Sequence, residues 1–381
     1  MTKKYLDFKL SEFTTNRNFN FSRKKILKVL PGKYLSDAHK VILKWKGYKK
    51  TPLINLEILS KKLRTNKIFY KDESKRFSLK SFKALGGAYA VEKIVKNKKK
   101  ITVSTATAGN HGKSVSWGVK KIGAGCKIFI SENVSNTRAL EMEKIGADVI
   151  RVKGNYEKSL KICKKISKKK GWKIVQDVAW RNYEYVPKLT MAGYSVMIKE
   201  ISNQTKHYIT HVFLQAGVGG MAAGVVSGIA KYFKRIPKII VIEPEYANCV
   251  MQSIKYGSIK KVNIKKQSIM GGMSCAEVSL VPWRILKNAV NNCVSVSDRY
   301  VPQTLTMLAK KKFSDKKIIA GECSTPGVIS IISCCNDPLV KKKLEINKKS
   351  NILIIGCEGD TDKKLYDKLY KIGNRKLKKY D

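Results

Sequence analysis

The sequence predicts an α/β protein of two domains built on mainly parallel sheets. Three observations carry this expectation. Short β-branched runs alternate with helical segments of ten to fifteen residues, the pattern of strand–helix–strand units. Glycine-bearing turns sit where strands run into helices, at 109–112 and 217–220. The chain has 381 residues, 43% of them hydrophobic, too many for one ordinary core and apolar enough to fill two.

Taken in order, residues 1 to about 50 form a mixed, basic amino-terminal arm with a helical pattern over 36–45 and a loop over 47–53. Residues 67–72 read as a strand and 88–95 as a helix, which puts Lys83 at a strand-to-helix junction. A strand over 101–104 meets the turn Gly109-Asn110-His111-Gly112 and an apolar helix through Ala124. The unit then repeats as strand 127–131, helix 137–145, strand 148–152, helix 156–169, strand 172–176 and helix 186–201. A buried strand over 211–215 runs straight into the glycine-rich turn at 217–220, which opens another helix. Later strands lie at 238–243 and 351–355, the second ending at Gly356-Cys357-Glu358-Gly359-Asp360-Thr361-Asp362. No repeat of fixed period exists beyond this alternation, and the lysine runs near 97 and 168 read as solvated helix ends.

Charge and composition exclude several classes. With 78 Lys and Arg against 28 Asp and Glu the net charge is +50, which suggests an anionic partner. The basic residues are mostly lysines spread along the whole chain, however, without a helix-turn-helix, RNP-like or zinc-finger pattern, so no specific nucleic acid is expected and only salt-dependent nonspecific binding remains. Nine scattered cysteines lack any C-x-x-C pair, which fits reduced thiols, and the histidines at 39, 111, 207 and 211 lack metal-ligand spacing. No catalytic transition metal is expected. Without an apolar run of membrane length or a signal-like start, a cytoplasmic location away from membranes is the expectation.

Among so many lysines, Lys83 stands apart because it falls between Phe82 and the Gly86-Gly87 pair at a junction where sites form. Desolvation there would lower its pKa and supply the neutral amine that forms a Schiff base with an aldehyde. The turn at 217–220 is not a dinucleotide fingerprint, since Glu243 is the nearest acidic candidate downstream, and no Gly-Lys-Ser/Thr makes it a P-loop. Its bare backbone N–H groups at a helix start suit either a phosphate or close helix packing.

An amine for a Schiff base, a phosphate cradle and a turn carrying Asn110 are together what pyridoxal phosphate needs. The chain resembles the fold type II pyridoxal-phosphate enzymes, each domain a mainly parallel twisted sheet flanked by helices, and within them the diaminopropionate ammonia-lyases. The resemblance runs from Thr51-Pro52-Leu53 to Asp362 and is carried by Lys71-Asp72-Glu73-Ser74, Ser81 to Gly87, Gly109 to Gly112, Val175 to Trp180 and Gln215 to Met221. It implies a large cofactor-binding domain of residues 1–89 and 193–381 with a small domain of 90–192 inserted, and a homodimer. It implies that Lys83 holds the cofactor and then acts as acid and base at Cα, that Asn110 bonds the ring oxygen, and that Gly217, Val218, Gly219, Gly220 and Met221 bind the phosphate. Cys357 falls where relatives place a Thr or Ser beside the pyridine nitrogen. A thiol cannot keep that nitrogen protonated as a carboxylate would, and the weaker electron sink favours prompt β-elimination. Asp177 and Tyr156 match substrate-site residues.

One departure bears on the substrate. The family motif carries an aspartate before Gly-Asn-His-Gly that serves the D-substrate, and this chain has Ala108 in that substrate-site position. Alanine cannot act as a base. The implied activity is therefore α,β-elimination of L-2,3-diaminopropionate to pyruvate and ammonia. A threonine- or serine-dehydratase-like deaminase, which would also carry alanine there, a β-replacement enzyme, and a basic nucleic-acid-binding or regulatory protein on a degenerate scaffold are the alternatives.

Overall fold

Strands that read as unbroken apolar runs lie at the centre of a sheet here, because a parallel strand covered by helices on both faces exposes neither side. The computed structural model describes residues 6–95, 101–107 and 109–377. Its strands are β1 (Glu12–Thr15), β2 (Leu53–Asn55), β3 (Lys67–Asp72), β4 (Thr102–Ala106), β5 (Gly125–Ser131), β6 (Asp148–Val152), β7 (Lys173–Ile174), β8 (His211–Gln215), β9 (Lys238–Pro244), β10 (Asn292–Val296) and β11 (Asn351–Gly356). Seven of them form one sheet in the order β1-β10-β9-β8-β11-β3-β2, and four form a second in the order β6-β5-β4-β7. The five inner strands of the large sheet run parallel, and every residue of β8, β10 and β11 is buried. The short strands β1 and β2 close its two edges antiparallel, which leaves no long free edge exposed to another chain. The small sheet is parallel throughout.

The order of strands and helices follows the expected alternation, with three local differences. The helix read over 88–95 spans Lys83–Val95, so Lys83 is its first residue. The single helix read over 186–201 is two, Tyr185–Tyr194 and Val196–Gln204. They divide at Ser195, whose hydroxyl donates to the Ala192 carbonyl (2.6 Å) and competes with the helical ladder. The strand read over 172–176 is in register only at Lys173–Ile174, although the Val175 N–H still donates to the Ser104 carbonyl of β4 (2.8 Å). Between 245 and 350 the structure adds β10 and the helices Cys249–Tyr256, Leu280–Ala289, Val301–Ala309 and Pro326–Asn336. No helix among the described residues is long and apolar enough to cross a membrane.

Two sheets in one chain leave a seam between them, and the strand ends bring loops to it. The carboxyl ends of β8 and β11 carry the 216–220 and 357–362 loops. The carboxyl end of β4 carries the turn into the helix Asn110–Ile122. In open parallel sheets these ends are where ligands bind, since the helix amino termini that follow present free N–H groups there.

Candidate active site

Lys83 is placed by its neighbours on both sides. Ser81 bridges to Glu358, and Phe82 donates its backbone N–H to the Cys357 carbonyl (3.0 Å), so the chain enters the helix Lys83–Val95 pinned against the loop after β11. From there Lys83 Nζ reaches Asp177 Oδ2 at 2.6 Å, with the lysine side chain a quarter exposed and the aspartate 15% exposed.

This pair corrects one expectation. Burial does push the Lys83 ammonium toward the neutral amine, but the Asp177 carboxylate outweighs it and the net shift is upward. Desolvation alone therefore does not make Lys83 a base. Burial likewise opposes ionisation of Asp177, and the His111 ring and Lys83 outweigh it, holding the carboxyl well below its usual range.

The Asp177 loop is anchored by Gln176 and His111, to which the sequence assigns no role of their own, and by Tyr156. The Gln176 side chain accepts from Thr105 Oγ1 (2.8 Å) and the Ala106 N–H (3.0 Å), and donates to the Ala106 carbonyl (2.8 Å) and the Tyr156 hydroxyl (2.9 Å). A residue beside the reactive aspartate is thus fixed to β4, and Tyr156 comes with it. Burial pushes the Tyr156 phenol up, so it remains protonated. His111 donates from Nε2 to the Val175 carbonyl (2.9 Å), leaving Nδ1 3.7 Å from Asp177 without a hydrogen-bond partner. Burial lowers its pKa, against the pull of the Asp177 carboxylate.

The glycine-rich turn faces the same place. Gly219 adopts φ +88°, a left-handed conformation that lets the helix Gly220–Tyr232 start abruptly. A Cβ at Gly217 would lie 2.9 Å from Cys275 Sγ and 3.0 Å from the Gly272 carbonyl, so that side is full. A Cβ at Gly220 would meet nothing nearer than the Asp177 carbonyl at 3.9 Å, so that side is open toward the Lys83–Asp177 pair. Ser279 ties the two loops together, accepting the Ala179 N–H (2.7 Å) while its own N–H donates to Val218 (2.9 Å). Met221 meets Cys357 sulfur to sulfur at 3.7 Å. Burial pushes the Cys357 thiol up, so it is a neutral group.

Asn110 begins its helix and donates its side-chain amide to Glu358, next to Cys357. Nearby, Arg138 pairs with Glu322 (3.5 Å) and Asp362 (3.2 Å), and Lys113 donates to the Thr361 carbonyl (3.0 Å). Ligand atoms of Glu322, Cys323 and Glu358 lie within 4.8 Å of one another, but Arg138 and Asn110 already supply cationic and donor groups to this cluster. Ala108 lies outside the described residues. Lys83, Asp177, Tyr156, Asn110, Cys357 and the 217–221 turn thus converge on one seam, and His111, Gln176 and Glu358 join them.

These features fit pyridoxal phosphate: an amine held by one carboxylate, and beside it an open glycine cradle at a helix start. The model of the family described as pyridoxal-phosphate-dependent enzymes matches residues 44–358. The diaminopropionate ammonia-lyase of Escherichia coli strain K12 is 31% identical over 93% of this chain and 95% of its own length. The chain belongs to the diaminopropionate ammonia-lyase family of pyridoxal-phosphate-dependent enzymes. Its fold is that of the holo E. coli enzyme, with a TM-score of 0.89 and 31% identity over 96% of this chain and 98% of that one. The E. coli enzyme has also been solved with an aminoacrylate–PLP azomethine reaction intermediate, and the match to that structure has a TM-score of 0.87 at 31% identity over 96% of this chain and 98% of that one. The chain is thus a pyridoxal-phosphate-dependent ammonia-lyase of the α/β, fold type II class.

Proposed function

We propose that this chain converts L-2,3-diaminopropionate and water to pyruvate and two molecules of ammonia. The observation that carries the reading is the Lys83–Asp177 pair at 2.6 Å beside the open cradle at Gly220. The names of the relatives support the choice of substrate. When bound, pyridoxal phosphate supplies the electron sink that lets an amino acid lose its α-proton. Lys83 would hold its aldehyde, the 217–221 turn its phosphate, Asn110 the ring oxygen, and Cys357 would lie by the ring nitrogen.

The protein's own groups then divide the work. Among the described residues Asp177 is the only carboxylate paired with Lys83, and the β-ammonium of the substrate competes for it. As the carboxylate turns to that ammonium, the attraction that keeps Lys83 protonated weakens and burial favours the neutral amine. Substrate binding thereby turns Lys83 into the base that takes the α-proton. The β-ammonium leaves as ammonia with the electrons of its broken C–N bond, and that ammonia can then take the proton from Lys83 and depart as ammonium. Released 2-aminoacrylate hydrolyses in water to pyruvate and the second ammonia. A hydroxyl substrate cannot draw Asp177 away in the same manner, because a neutral hydroxyl does not replace an ammonium in a charge-assisted pair. With alanine at 108 the chain has no acid there to serve the D-isomer.

The test is pyruvate release from L- and D-2,3-diaminopropionate, L-threonine and L-serine. The expected order places L-diaminopropionate first; strong activity on the D-isomer refutes the reading of Ala108, and activity on threonine alone shows a dehydratase. The same reading takes residues 90–192 as the inserted domain and the enzyme as a cytoplasmic homodimer, the latter tested by light scattering at micromolar concentration.

A further inference from the structure

The seam holds a buried polar group, Tyr194, that the scheme above leaves without a task. Tyr194 ends the helix Tyr185–Tyr194, is 1% exposed, and its hydroxyl has no hydrogen-bond partner. A phenol buried without a partner costs free energy, so its retention asks for a reason. Its ring packs on Phe82 (centroids 4.8 Å apart), and Lys83 Nζ lies 5.7 Å from the ring centre. Tyr194 and Lys83 are near enough to shift each other's proton affinity, while the amine's hydrogen bond goes to Asp177.

The surrounding backbone is shaped around this ring. A Cβ at Gly86 would fall 2.3 Å from Tyr194 Cε1, and one at Gly224 would fall 3.1 Å from Tyr194 Cβ. Tyr194 is thus wedged between the helix that begins at Lys83 and the helix that begins at the glycine turn. Any movement of its hydroxyl is small, and any movement of Lys83 away from Asp177 is toward a short list of groups. The groups that act electrostatically with Lys83 are Asp177, Tyr194 and Cys275, and also His111, Tyr156 and Cys357. Cys275 is held as a neutral thiol by burial and is a weak acceptor.

We propose that Tyr194 is a positioning residue that receives the Lys83 ammonium formed on taking the α-proton, while the substrate's β-ammonium holds Asp177, its hydroxyl oxygen accepting a hydrogen bond from Nζ. This rests on the substrate reading above. The α-proton ends on Lys83, Tyr194 stays a neutral phenol, and Lys83 is kept pointing at the substrate for the return of the proton.

Tyr194→Phe tests this, since it keeps the ring and removes a hydroxyl that has no partner in the resting site, so no buried group is orphaned. The first readout needs no substrate or cofactor. In cofactor-free protein, labelling of Lys83 by trinitrobenzenesulfonate is followed against pH by peptide mass spectrometry. Loss of the hydroxyl is expected to leave labelling unchanged while Asp177 holds the amine, and in an Asp177→Asn background, where the amine is released, to lower the labelling midpoint and speed labelling about fivefold at fixed pH, the effect of about one hydrogen bond. The second readout is the holoenzyme. Its kcat on L-diaminopropionate is expected to fall about tenfold with KM within about twofold, while kcat on L-serine, which leaves Asp177 on Lys83, changes little. A labelling profile unchanged by Tyr194→Phe in the Asp177→Asn background, or an equal loss on both substrates, overturns the proposal and leaves Tyr194 as core packing. If wild-type protein does not turn over diaminopropionate, the substrate reading fails, and the labelling arm still judges the contact between Tyr194 and Lys83.

Discussion

Two alanine substitutions one turn apart separate the cofactor cradle from ordinary loop packing. At Gly220 a methyl group enters open space, with the Asp177 carbonyl 3.9 Å away, and the residue is the first of its helix. Replacing glycine there removes freedom from the unfolded chain and stabilises cofactor-free protein by about 0.4–1 kcal/mol. At Gly217 the methyl would meet Cys275 Sγ at 2.9 Å, the Gly272 carbonyl at 3.0 Å and Met273 Cα at 3.2 Å. Two of these are backbone atoms, so the strain costs about 1–3 kcal/mol. Unfolding entropy of about 2 cal/mol/K per residue makes 1 kcal/mol worth about 1 °C in a chain of this length. Thermal unfolding of cofactor-free protein is therefore expected to rise by about 1 °C for Gly220→Ala and fall by about 1–4 °C for Gly217→Ala. Cofactor binding should weaken in both, because the methyl at 220 occupies the space a phosphate would use. Titration with pyridoxal phosphate, read by the visible Schiff-base band, is expected to show at least a tenfold weaker Kd for Gly220→Ala, about 1.4 kcal/mol. A Gly220→Ala protein that is more stable and binds the cofactor as tightly as wild type refutes the assignment of this turn to the phosphate.

The remaining predictions concern single side chains. Lys83→Ala should abolish both the visible Schiff-base band and pyruvate release, and turnover at the wild-type rate would remove Lys83 from the mechanism. Asp177→Asn should cut kcat/KM on L-diaminopropionate by about 10- to 100-fold, the loss of a charge-assisted pair, with a smaller effect on L-serine. Glu243 is fully buried and accepts the Val250 (2.8 Å) and Met251 (2.7 Å) N–H groups, and burial pushes its carboxyl up to about 8. A group whose folded pKa exceeds its unfolded value binds more protons when folded, so its contribution to stability falls as pH rises from about 4.5 to about 8. Glu243→Gln should flatten that decline in urea midpoints measured from pH 5 to 9.

Some of this could be read from residue order alone. The alternation that gave β3, β5, β6, β8, β9 and β11 rests on short-range pattern, and a buried parallel strand writes itself as a run such as Val212-Phe213-Leu214. The stretch from 245 to 350 was not legible in the same way. Its strand β10 contains Asn292, Ser295 and two valines, a mixed run that is buried only because β1, nearly 280 residues earlier, and β9 pair with it. The strands β1 and β2 are three or four residues long, and their pairing is supplied entirely by distant partners.

The reactive residue types and their local turns were determined by the sequence: an amine after Phe82, bare glycines before a helix, an amide at 110, and alanine rather than a carboxylate at 108. Those are properties of covalent chemistry and short-range backbone geometry, which neighbouring residues settle. Only the tertiary structure decided that Lys83 meets Asp177, 94 positions away, and so rests as an ammonium rather than a free amine. The same holds for His111, Gln176 and Tyr194, whose types are unremarkable in a list of residues. Their roles come from distance and desolvation, and the chain acquires both only when two sheets close on one seam.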